Sequence, residues 1–337
     1  MAVALLGVQP AYADESTGPV VTGTVATNLQ IPWGVAFLPN GETLVSERNT
    51  ARIVSIVPGK PVREVGVVPD VNATGQGGLM GLAVSPHFWK DRYVYAYHTG
   101  VTDQRIVRMR YTHGALGTPE PVLTGIPTGT SHLGGRITFG PDGFLYVGTG
   151  DAGAPANSQD PASLGGKILR ITATGAPAPG NPFPGSPVYS LGHRNVQGFD
   201  WDHQGRLWAS EFGQATWDEL NLITPGANYG WPVVEGQTGT PGYVDPLLQW
   251  TPAEASPSGL AISGNVIYIA GLRGQRLWAI PLQGAGVGTP VAHFTGQYGR
   301  LRTVIKSPYG GLWLTTSNRD QLGVPGPDDD RILKVKP

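Results

Sequence analysis

The chain has 337 residues, of which 40% are hydrophobic, so it is long enough for a large core and too apolar for a disordered chain. The formal net charge of −1 gives no general attraction to nucleic acid, and the absence of cysteine excludes disulfides, thiol catalysis and thiolate metal sites. The 50 glycines and 31 prolines are costly inside helices and frequent in turns, so together with 9 Trp and 12 Tyr they favour an all-β chain of short strands.

The first residues have the pattern of an export signal. Residues 2–8 form a short apolar run, and Ala11-Tyr12-Ala13 fits the small-x-small cleavage pattern before Asp14. We therefore interpret residues 1–13 as the remnant of a secretory signal or a disordered N-terminus, and residues 14–337 as one domain. This predicts a secreted, periplasmic or extracellular protein. No run approaches the ~20 apolar residues that a membrane span needs, so no membrane span is expected.

One unit of apolar strands, separated by turns that contain Pro or Gly, recurs six times along the chain. The copies contain, in order, "WGVAFLPNGETLVSERNTARIVSI", "GLAVSPHFWKDRYVYAYHTG", "SHLGGRITFGPDGFLYVGTGD", "QGFDWDHQGRLWASEFG", "SGLAISGNVIYIAGLRGQRLWAI" and "RTVIKSPYGGLWLTTSNRD". Each copy is about as long as one four-stranded sheet, which cannot bury both of its faces alone.

Radial packing of the copies would bury those faces, so the repeat predicts an all-β, six-bladed β-propeller of four-stranded antiparallel sheets. Residues 21–29 precede the first copy and would supply the outer strand that closes the ring onto the last blade. Residues 152–165 and 174–192 are rich in Gly, Pro and Ala and are predicted to be loops. An open sandwich is the structural alternative, but it would not explain six similar copies.

Polar residues occur at the two points of each copy that a propeller would bring to its central channel. Those before the first strand are Gln76, His132, Arg194, Asn195, Gln197, Arg300 and Arg302, and those after the second strand are Glu47, Arg48, Asp151, Glu211, Gly213 and Arg273. Arginine outnumbers lysine by 17 to 6, and it binds carboxylates in a bidentate manner. Arg194, Arg273, Arg300 and Arg302 together therefore predict a small ligand with several carboxylates. For any single arginine, a structural ion pair is the alternative.

The third copy differs from the others by the residues at its ends. His132 precedes the first strand and is a candidate general base, because histidine changes its charge near neutral pH. Asp151 follows the second strand and could hold the other ring nitrogen. Gly134 and Gly135 would let a flat ring come close. A structural histidine is the alternative interpretation.

The segment "SEFGQATWDELNLITPGANYGWP" contains candidate metal ligands. The carbonyl groups of Gly213 and Gln214 could face the channel mouth, while Asp218 and Glu219 are oxygen donors near Tyr229. Carboxylate and carbonyl oxygens suit Ca²⁺. A solvated turn is the alternative for the two acidic residues.

These residues, in this order, resemble the soluble quinoprotein glucose/sorbosone dehydrogenase family, and within it the compact aldose sugar dehydrogenases. The resemblance covers residues 29–335. The motifs that carry it are "PWGVAFLPNG", "GQGGLMGLAVSP", "HLGGRITFGPDGFLYVGTGD", "GGKILRI", "GHRNVQGF", "DELNLITPGANYGWP", "SGLAI" and "GLRGQRL".

The resemblance implies pyrroloquinoline quinone (PQQ), a flat ortho-quinone with three carboxylates, as cofactor, and Ca²⁺ as metal. It implies three catalytic residues, namely His132 as general base, Asp151 as the partner that orients it, and Arg194. The implied cofactor-binding positions are Gln76, His132, Arg194, Asn195, Gln197, Arg273, Arg300 and Arg302. The implied metal positions are Gly213 and Gln214 for a catalytic ion and Glu219 and Tyr229 for a second one. Arg273 stands where some members have lysine, and Gln214 where others have proline.

The expected activity is oxidation of the C1 hydroxyl of aldose sugars to the lactone, with hydride transfer to PQQ and reoxidation by an external electron acceptor. The short loops suggest an open site with broad aldose use, in a monomer or homodimer. A calcium-dependent, lactonase-like propeller hydrolase would place several side-chain carboxylates or amides around one central metal, whereas the predicted channel is rich in arginine. A non-catalytic binding propeller is the third hypothesis.

Overall fold

The computed structural model describes residues 18–337, so the predicted signal remnant at residues 1–13 lies outside the described residues. Within residues 18–337, the chain forms 26 strands and two helices of four residues. The strands make six antiparallel sheets, which confirms the all-β, six-bladed propeller predicted from the repeats.

The first strand is β1 (Val20–Ala26), and the first three blades follow it. Blade 1 contains β2 (Pro32–Phe37), β3 (Thr43–Glu47), β4 (Arg52–Ile56) and β5 (Arg63–Val67). Blade 2 contains β6 (Leu79–Val84), α1 (Phe88–Asp91), β7 (Tyr93–Thr99), β8 (Gln104–Thr112), β9 (Ala115–Leu116) and β10 (Glu120–Ile126). Blade 3 contains β11 (Arg136–Phe139), β12 (Leu145–Gly148), α2 (Ala156–Gln159), β13 (Lys167–Ile171) and β14 (Val188–Leu191).

The other three blades complete the ring. Blade 4 contains β15 (Val196–Trp201), β16 (Leu207–Glu211), β17 (Asp218–Ile223) and β18 (Leu248–Trp250). Blade 5 contains β19 (Pro257–Ser263), β20 (Val266–Gly271), β21 (Arg276–Gln283), β22 (Gly286–Val287) and β23 (Val291–His293). Blade 6 contains β24 (Leu301–Lys306), β25 (Leu312–Thr316) and β26 (Ile332–Lys336).

The ring is closed by strand β1. It pairs antiparallel with β26, from Val20 opposite Lys336 to Ala26 opposite Ile332, and so supplies the outer strand of blade 6. The prediction that residues 21–29 close the ring onto the last blade is confirmed. Blades 2 and 5 each carry one additional two-residue strand beside the predicted four, β9 and β22.

Two of the predicted loops contain regular structure. Residues 152–165 include helix α2, and residues 174–192 include strand β14, which pairs with β13 as the outer strand of blade 3. The loop prediction for residues 174–192 is therefore wrong at its end. The many Gly and Pro residues before position 188 predicted a loop over the whole segment. The short strand "VYSL" was missed because it forms only through its pairing with the neighbouring strand.

Each blade has its inner strand beside the central channel, and the core lies between neighbouring blades. Leu44 and Ile53 of blade 1, for example, are fully buried with Leu79 and Val94 of blade 2. Because the inner strands are antiparallel to the second strands, residues before each inner strand and after each second strand meet at the same end of the channel. This end holds the candidate site.

Candidate active site

A cavity of about 720 Å³ opens at this end of the channel. Ten of the predicted site residues line it: Gln76, His132, Arg194, Asn195, Gln197, Gly213, Gln214, Arg273, Arg300 and Arg302. They come from five blades that are distant in sequence, Gln197 and Arg302 from the inner strands β15 and β24 and the others from loops. The sequence predicted that residues near the start of the first strand or the end of the second strand face the channel, and these residues do lie together in one cavity.

His132 stands on the cavity wall in a left-handed backbone conformation, with a φ of 53°. Two neighbours fix this backbone. Its N–H donates to the side-chain oxygen of Gln76 at 2.8 Å, and its carbonyl oxygen accepts the N–H of Ala152 at 3.0 Å. The imidazole is therefore held from both sides, with Nδ1 2.7 Å from Asp151 Oδ1 and Nε2 2.6 Å from Arg194 Nη2.

Asp151 does not line the cavity but lies buried behind His132. Its carboxylate also accepts the N–H of Gly153 and the indole N–H of Trp231, both at 2.8 Å. Burial alone would raise the pKa of Asp151, but the hydrogen bonds from His132, Gly153 and Trp231 outweigh it and lower this pKa below its ordinary value. Asp151 is therefore ionised at neutral pH.

The two partners of His132 determine which ring nitrogen carries the proton. An ionised Asp151 only accepts hydrogen bonds, and the guanidinium of Arg194 only donates them. The proton therefore resides on Nδ1, and the lone pair of Nε2 faces the cavity side of the ring. This is the neutral tautomer that a general base needs.

Arg194 is fixed by the segment that follows strand β16. Its Nη1 donates to the carbonyl oxygen of Phe212 at 3.0 Å, and its Nε and Nη2 both donate to the side-chain oxygen of Gln214, at 2.9 and 2.6 Å. Burial lowers the pKa of Arg194, while the carboxylates of Asp151 and Glu211 raise it. The side chain of Gln214 is thus a partner of Arg194, a contact that the resemblance did not imply.

The opposite wall of the cavity is cationic. Arg48, Arg300 and Arg302 lie here, and the one carboxylate among them is Asp320, 2.9 Å from Arg300 and 3.7 Å from Arg302. Burial lowers the pKa of Arg302, and the nearby arginines lower it further. The sequence placed Arg48 at the channel, but the resemblance did not include it among the cofactor-binding positions. Asp320 was missed, although it follows the second strand of its blade, as Asp151 does.

Gly134 and Gly135 lie at close contacts within the protein. Both have positive φ angles, and a side chain on Gly135 would collide with Met80 Sδ at 2.7 Å. A side chain on Gly134 would instead meet Gly148 and Thr149 of the same blade, so both glycines allow close packing of the protein. Gly134 also lines the cavity, and the approach of a flat ring to it stays a prediction. Asn195 and Gln197 hold them in place, because the side-chain oxygen of Asn195 accepts the N–H of Gly134 and the amide of Gln197 donates to its carbonyl oxygen.

Gly213 and Gln214 line the cavity, and Asp218 holds their turn. Asp218 accepts the N–H of Gly213 at 2.9 Å and that of Ser256 at 2.7 Å, while burial raises its pKa to about 6. The carbonyl oxygens of Gly213 and Gln214 accept no hydrogen bond from any residue between 18 and 337. These two oxygens are therefore available to a cation.

Glu219 and Tyr229 do not line the cavity; they lie beside a small separate pocket next to Arg194 and Glu211. Burial and the nearby carboxylate of Glu211 raise the pKa of Glu219 to about 8. The hydroxyl of Tyr229 donates to the carbonyl oxygen of Leu222, and its own carbonyl oxygen accepts no hydrogen bond within the described chain. No three His, Asp or Glu side chains of the described chain are placed to hold a metal together, so an ion here would depend on carbonyl oxygens.

The chain is similar to known proteins in both sequence and structure. Residues 29–323 match the family model described as glucose/sorbosone dehydrogenase. The PQQ-bound aldose sugar dehydrogenase of Streptomyces coelicolor is 55% identical with a TM-score of 0.92, over 95% of this chain and 98% of that one. A glucose dehydrogenase-type oxidoreductase of Thermus thermophilus is 43% identical with a TM-score of 0.89, over 94% of this chain and all of that one.

Aldose sugar dehydrogenase YliI of Escherichia coli is 26% identical over 92% of this chain and 91% of its own length. The match to these proteins thus runs along nearly the full length of both chains. Between residues 18 and 337, no helix has the length and apolar character needed to cross a membrane.

Proposed function

This chain belongs to the glucose/sorbosone dehydrogenase family, and we propose that it is a quinoprotein that oxidises the C1 hydroxyl of aldose sugars to the lactone. The observation that carries the proposal is a neutral histidine, with its Nε2 lone pair directed away from Asp151, on the wall of an arginine-lined cavity. A base beside an anion-binding cavity is what removal of a sugar proton next to an anionic cofactor requires.

The cavity fits PQQ in charge and size. Its described lining contains five arginines, Arg48, Arg194, Arg273, Arg300 and Arg302, but only two carboxylates, Asp218 and Asp320. All of these arginines except Arg273 are buried, and such an excess of cations repels itself unless an anion binds between them. A volume of about 720 Å³ also lies within the range of small-molecule sites, so we propose that these arginines hold the carboxylates of PQQ.

The oxygen donors fit Ca²⁺. Gly213 and Gln214 line the cavity, and their carbonyl oxygens accept no hydrogen bond from the described chain, so these oxygens would hold the catalytic ion. The buried Glu219 carboxylate and the carbonyl oxygen of Tyr229 would hold the second ion. A cation there would favour the charged form of Glu219, whose pKa burial otherwise raises.

The residues of this chain would act as follows. His132 would accept the proton of the C1 hydroxyl at Nε2, and the imidazolium that forms would be stabilised by Asp151. Arg194, which donates to Nε2 in this structure, would then donate to the C1 oxygen. When bound, PQQ supplies the acceptor for the hydride of C1, and an external electron acceptor would take up the electrons.

The composition of the cavity disfavours a lactonase-like hydrolase. That chemistry would need several carboxylates or amides around one central metal. Asp218 and Asp320 are the only carboxylates among the described lining residues, and both are engaged with protein groups. The lining amides of Gln76, Asn195, Gln197 and Gln214 are hydrogen-bonded within the protein as well. We further propose that the protein is exported and works as a monomer or homodimer.

Reconstitution tests the proposed function. Protein stripped with a chelator is loaded with Ca²⁺ and PQQ, and dye reduction is followed with several aldoses. We expect dye reduction only when the quinone, the metal and a sugar are all present. Absence of reduction with every aldose, in protein shown to bind the quinone, would rule out the dehydrogenase activity. Omitting Ca²⁺ should give inactive protein.

A further inference from the structure

One position of the repeat is occupied differently in blades 3 and 6. One position near the start of the inner strand is glycine in four blades, namely Gly34, Gly81, Gly198 and Gly259, and the next residue of each begins or continues the regular pairing with the second strand. A side chain on Gly34 would lie 2.6 Å from the backbone nitrogen of Leu82, so the backbone of the next blade occupies that space. The same position holds Arg136 in blade 3 and Thr303 in blade 6.

The side chain of Arg136 crosses the central channel. Blades 3 and 6 face each other in a ring of six, and Arg136 Nη2 donates to Thr303 Oγ1 at 3.1 Å. On the way, its Nε donates to the carbonyl oxygen of Gln197 in blade 4 at 2.9 Å. Its guanidinium carbon also lies 4.2 Å from the ring centroid of Trp33 in blade 1. Arg136 thereby connects four of the six blades.

This crossing lies directly beneath the candidate active site. Trp33 and Gln197 both line the cavity, whereas Arg136, which contacts each of them, does not. The indole of Trp33 has Arg136 on one side and the guanidinium of Arg302 at 5.9 Å. Arg136 therefore places a positive charge directly behind Trp33 and Gln197, the two residues that form this part of the cavity floor.

The charge of Arg136 has no partner of opposite sign. None of the ion pairs within residues 18–337 includes Arg136, and its hydrogen bonds go to a carbonyl and a hydroxyl. Its charged neighbour Arg302 has the same sign, and the proximity of the two contributes to the lowered pKa of Arg302. A buried cation without a counter-ion raises the free energy of the folded protein, and an anion that binds nearby offsets this cost.

We propose that Arg136 is a positioning residue that strengthens the binding of an anionic, carboxylate-bearing cofactor through the floor of the cavity. The inference rests on the proposed function, since PQQ is the anion whose charge Arg136 would balance. The attraction between the Arg136 guanidinium and the cofactor carboxylates is weakly screened, because protein rather than water lies between them. The same charge favours added electron density in the cavity, so it also raises the reduction potential of the bound quinone.

Titration of metal-loaded, quinone-free protein with PQQ tests this inference. R136Q removes the charge but keeps an amide that can donate to Gln197 or Thr303, R136K keeps the charge, and R110Q changes an exposed arginine as a control. We expect R136Q to weaken quinone binding about ten-fold or more, R136K to stay within about three-fold of the unmodified protein, and R110Q to have no effect.

Two readouts separate an electrostatic from a structural role. We expect the reduction potential of the bound quinone to fall in R136Q and not in R136K. The thermal unfolding temperature of the quinone-free protein should fall in R136Q through the lost contacts to Thr303 and Trp33, but the protein should stay folded, because the removed cation has no ionic partner. R136M provides a second neutral variant if R136Q unfolds.

Several results would overturn the inference. Equal affinity and equal potential in R136Q and the unmodified protein would show that the charge has no effect. Equal losses in R136K and R136Q, or unfolding of both neutral variants, would make Arg136 a structural residue. If the unmodified protein binds no PQQ, the proposed function fails together with this inference, whereas a failure confined to the variants leaves the proposed function standing.

Discussion

At the scale of single residues, the chemistry of the site follows from donors and acceptors. His132 lies between a group that only accepts and a group that only donates, Asp151 and Arg194. This arrangement fixes the tautomer without any contact to the substrate. It also means that Arg194 occupies the lone pair of Nε2 until a sugar hydroxyl takes that place.

We predict that H132Q loses at least about 100-fold in turnover with aldoses, because glutamine can fill the space but cannot take up a proton. Quinone binding should change by no more than a few-fold, since the arginines on the opposite wall remain. Dye reduction and quinone titration measure the two effects. H203Q, in an exposed turn, is the control and should keep full turnover. Full turnover in H132Q would remove His132 from the role of base.

Asp151 should make stability depend on pH in a defined window. Its pKa is lower in the folded protein than in the unfolded chain, so its contribution is present above about pH 4 and is lost as the pH falls through the folded pKa. D151N cannot titrate, and its amide would oppose the N–H groups that Asp151 accepts. We therefore expect D151N to be less stable than the unmodified protein at pH 7, with a difference that shrinks below about pH 4.

Denaturant unfolding at a series of pH values measures this difference in the free energy of unfolding. The exposed Asp328 offers the control, because D328N should show no such convergence. A constant gap between D151N and the unmodified protein down to the acid limit would contradict the assignment.

At the scale of elements, the loop after strand β12 is organised by a buried cation. Lys167, at the start of β13, is fully buried, and its Nζ donates to the carbonyl oxygens of Asn157, Ser158 and Gly165 at 2.6, 3.1 and 2.8 Å. Burial lowers its pKa to about 8, with an opposing effect of Asp160. These hydrogen bonds thus attach helix α2 to strand β13.

We predict that K167M lowers the free energy of unfolding by about 3 kcal/mol, because three buried carbonyl groups lose their donor. Asn157 also donates to the carbonyl oxygen of Asp151, so the loosened loop should reach the site. Urea denaturation gives the stability, and amide exchange in residues 152–166 should become faster. The exposed Lys60 supplies the control, since K60M should change stability by less than about 0.5 kcal/mol. An equal effect of both substitutions would contradict this role of Lys167.

The repeats and their phase predicted the blades and the position of most candidate site residues, because both depend on local pattern. Strand β14 and the contacts of Lys167 could not be predicted in the same way, since they depend on which strand or loop lies alongside. The glycines at positions 134 and 135 show the limit most clearly. Their conformational freedom is evident from the sequence, but packing between the blades decides that Met80 lies against Gly135 while Gly134 lines the cavity.

At the scale of the whole molecule, neighbouring blades are joined by hydroxyl groups near the channel. Ser46 of blade 1 donates to the carbonyl oxygen of Met80 in blade 2 at 2.5 Å. Ser210 of blade 4 donates in the same way to Ser258 of blade 5 at 2.6 Å. Neighbouring blades are thus held by polar contacts near the centre and by apolar contacts further out. Because the site is formed where the blades meet at the channel, its geometry depends on closure of the ring.

Closure of the ring depends on strand β1. Without residues 18–27, strand β26 would become an edge strand whose backbone groups along Ile332–Lys336 lose their partners. We predict that a chain beginning at residue 28 loses about 3–5 kcal/mol of unfolding free energy, since several ladder hydrogen bonds and the burial of Ala26 disappear together. A chain beginning at residue 18 retains β1 and is the matched control. Denaturant unfolding measures the loss, and gel filtration should show self-association through the new edge. If both chains unfold at the same denaturant concentration and remain equally dispersed, the ring does not depend on this strand, and the three C-terminal strands of blade 6 close it by themselves.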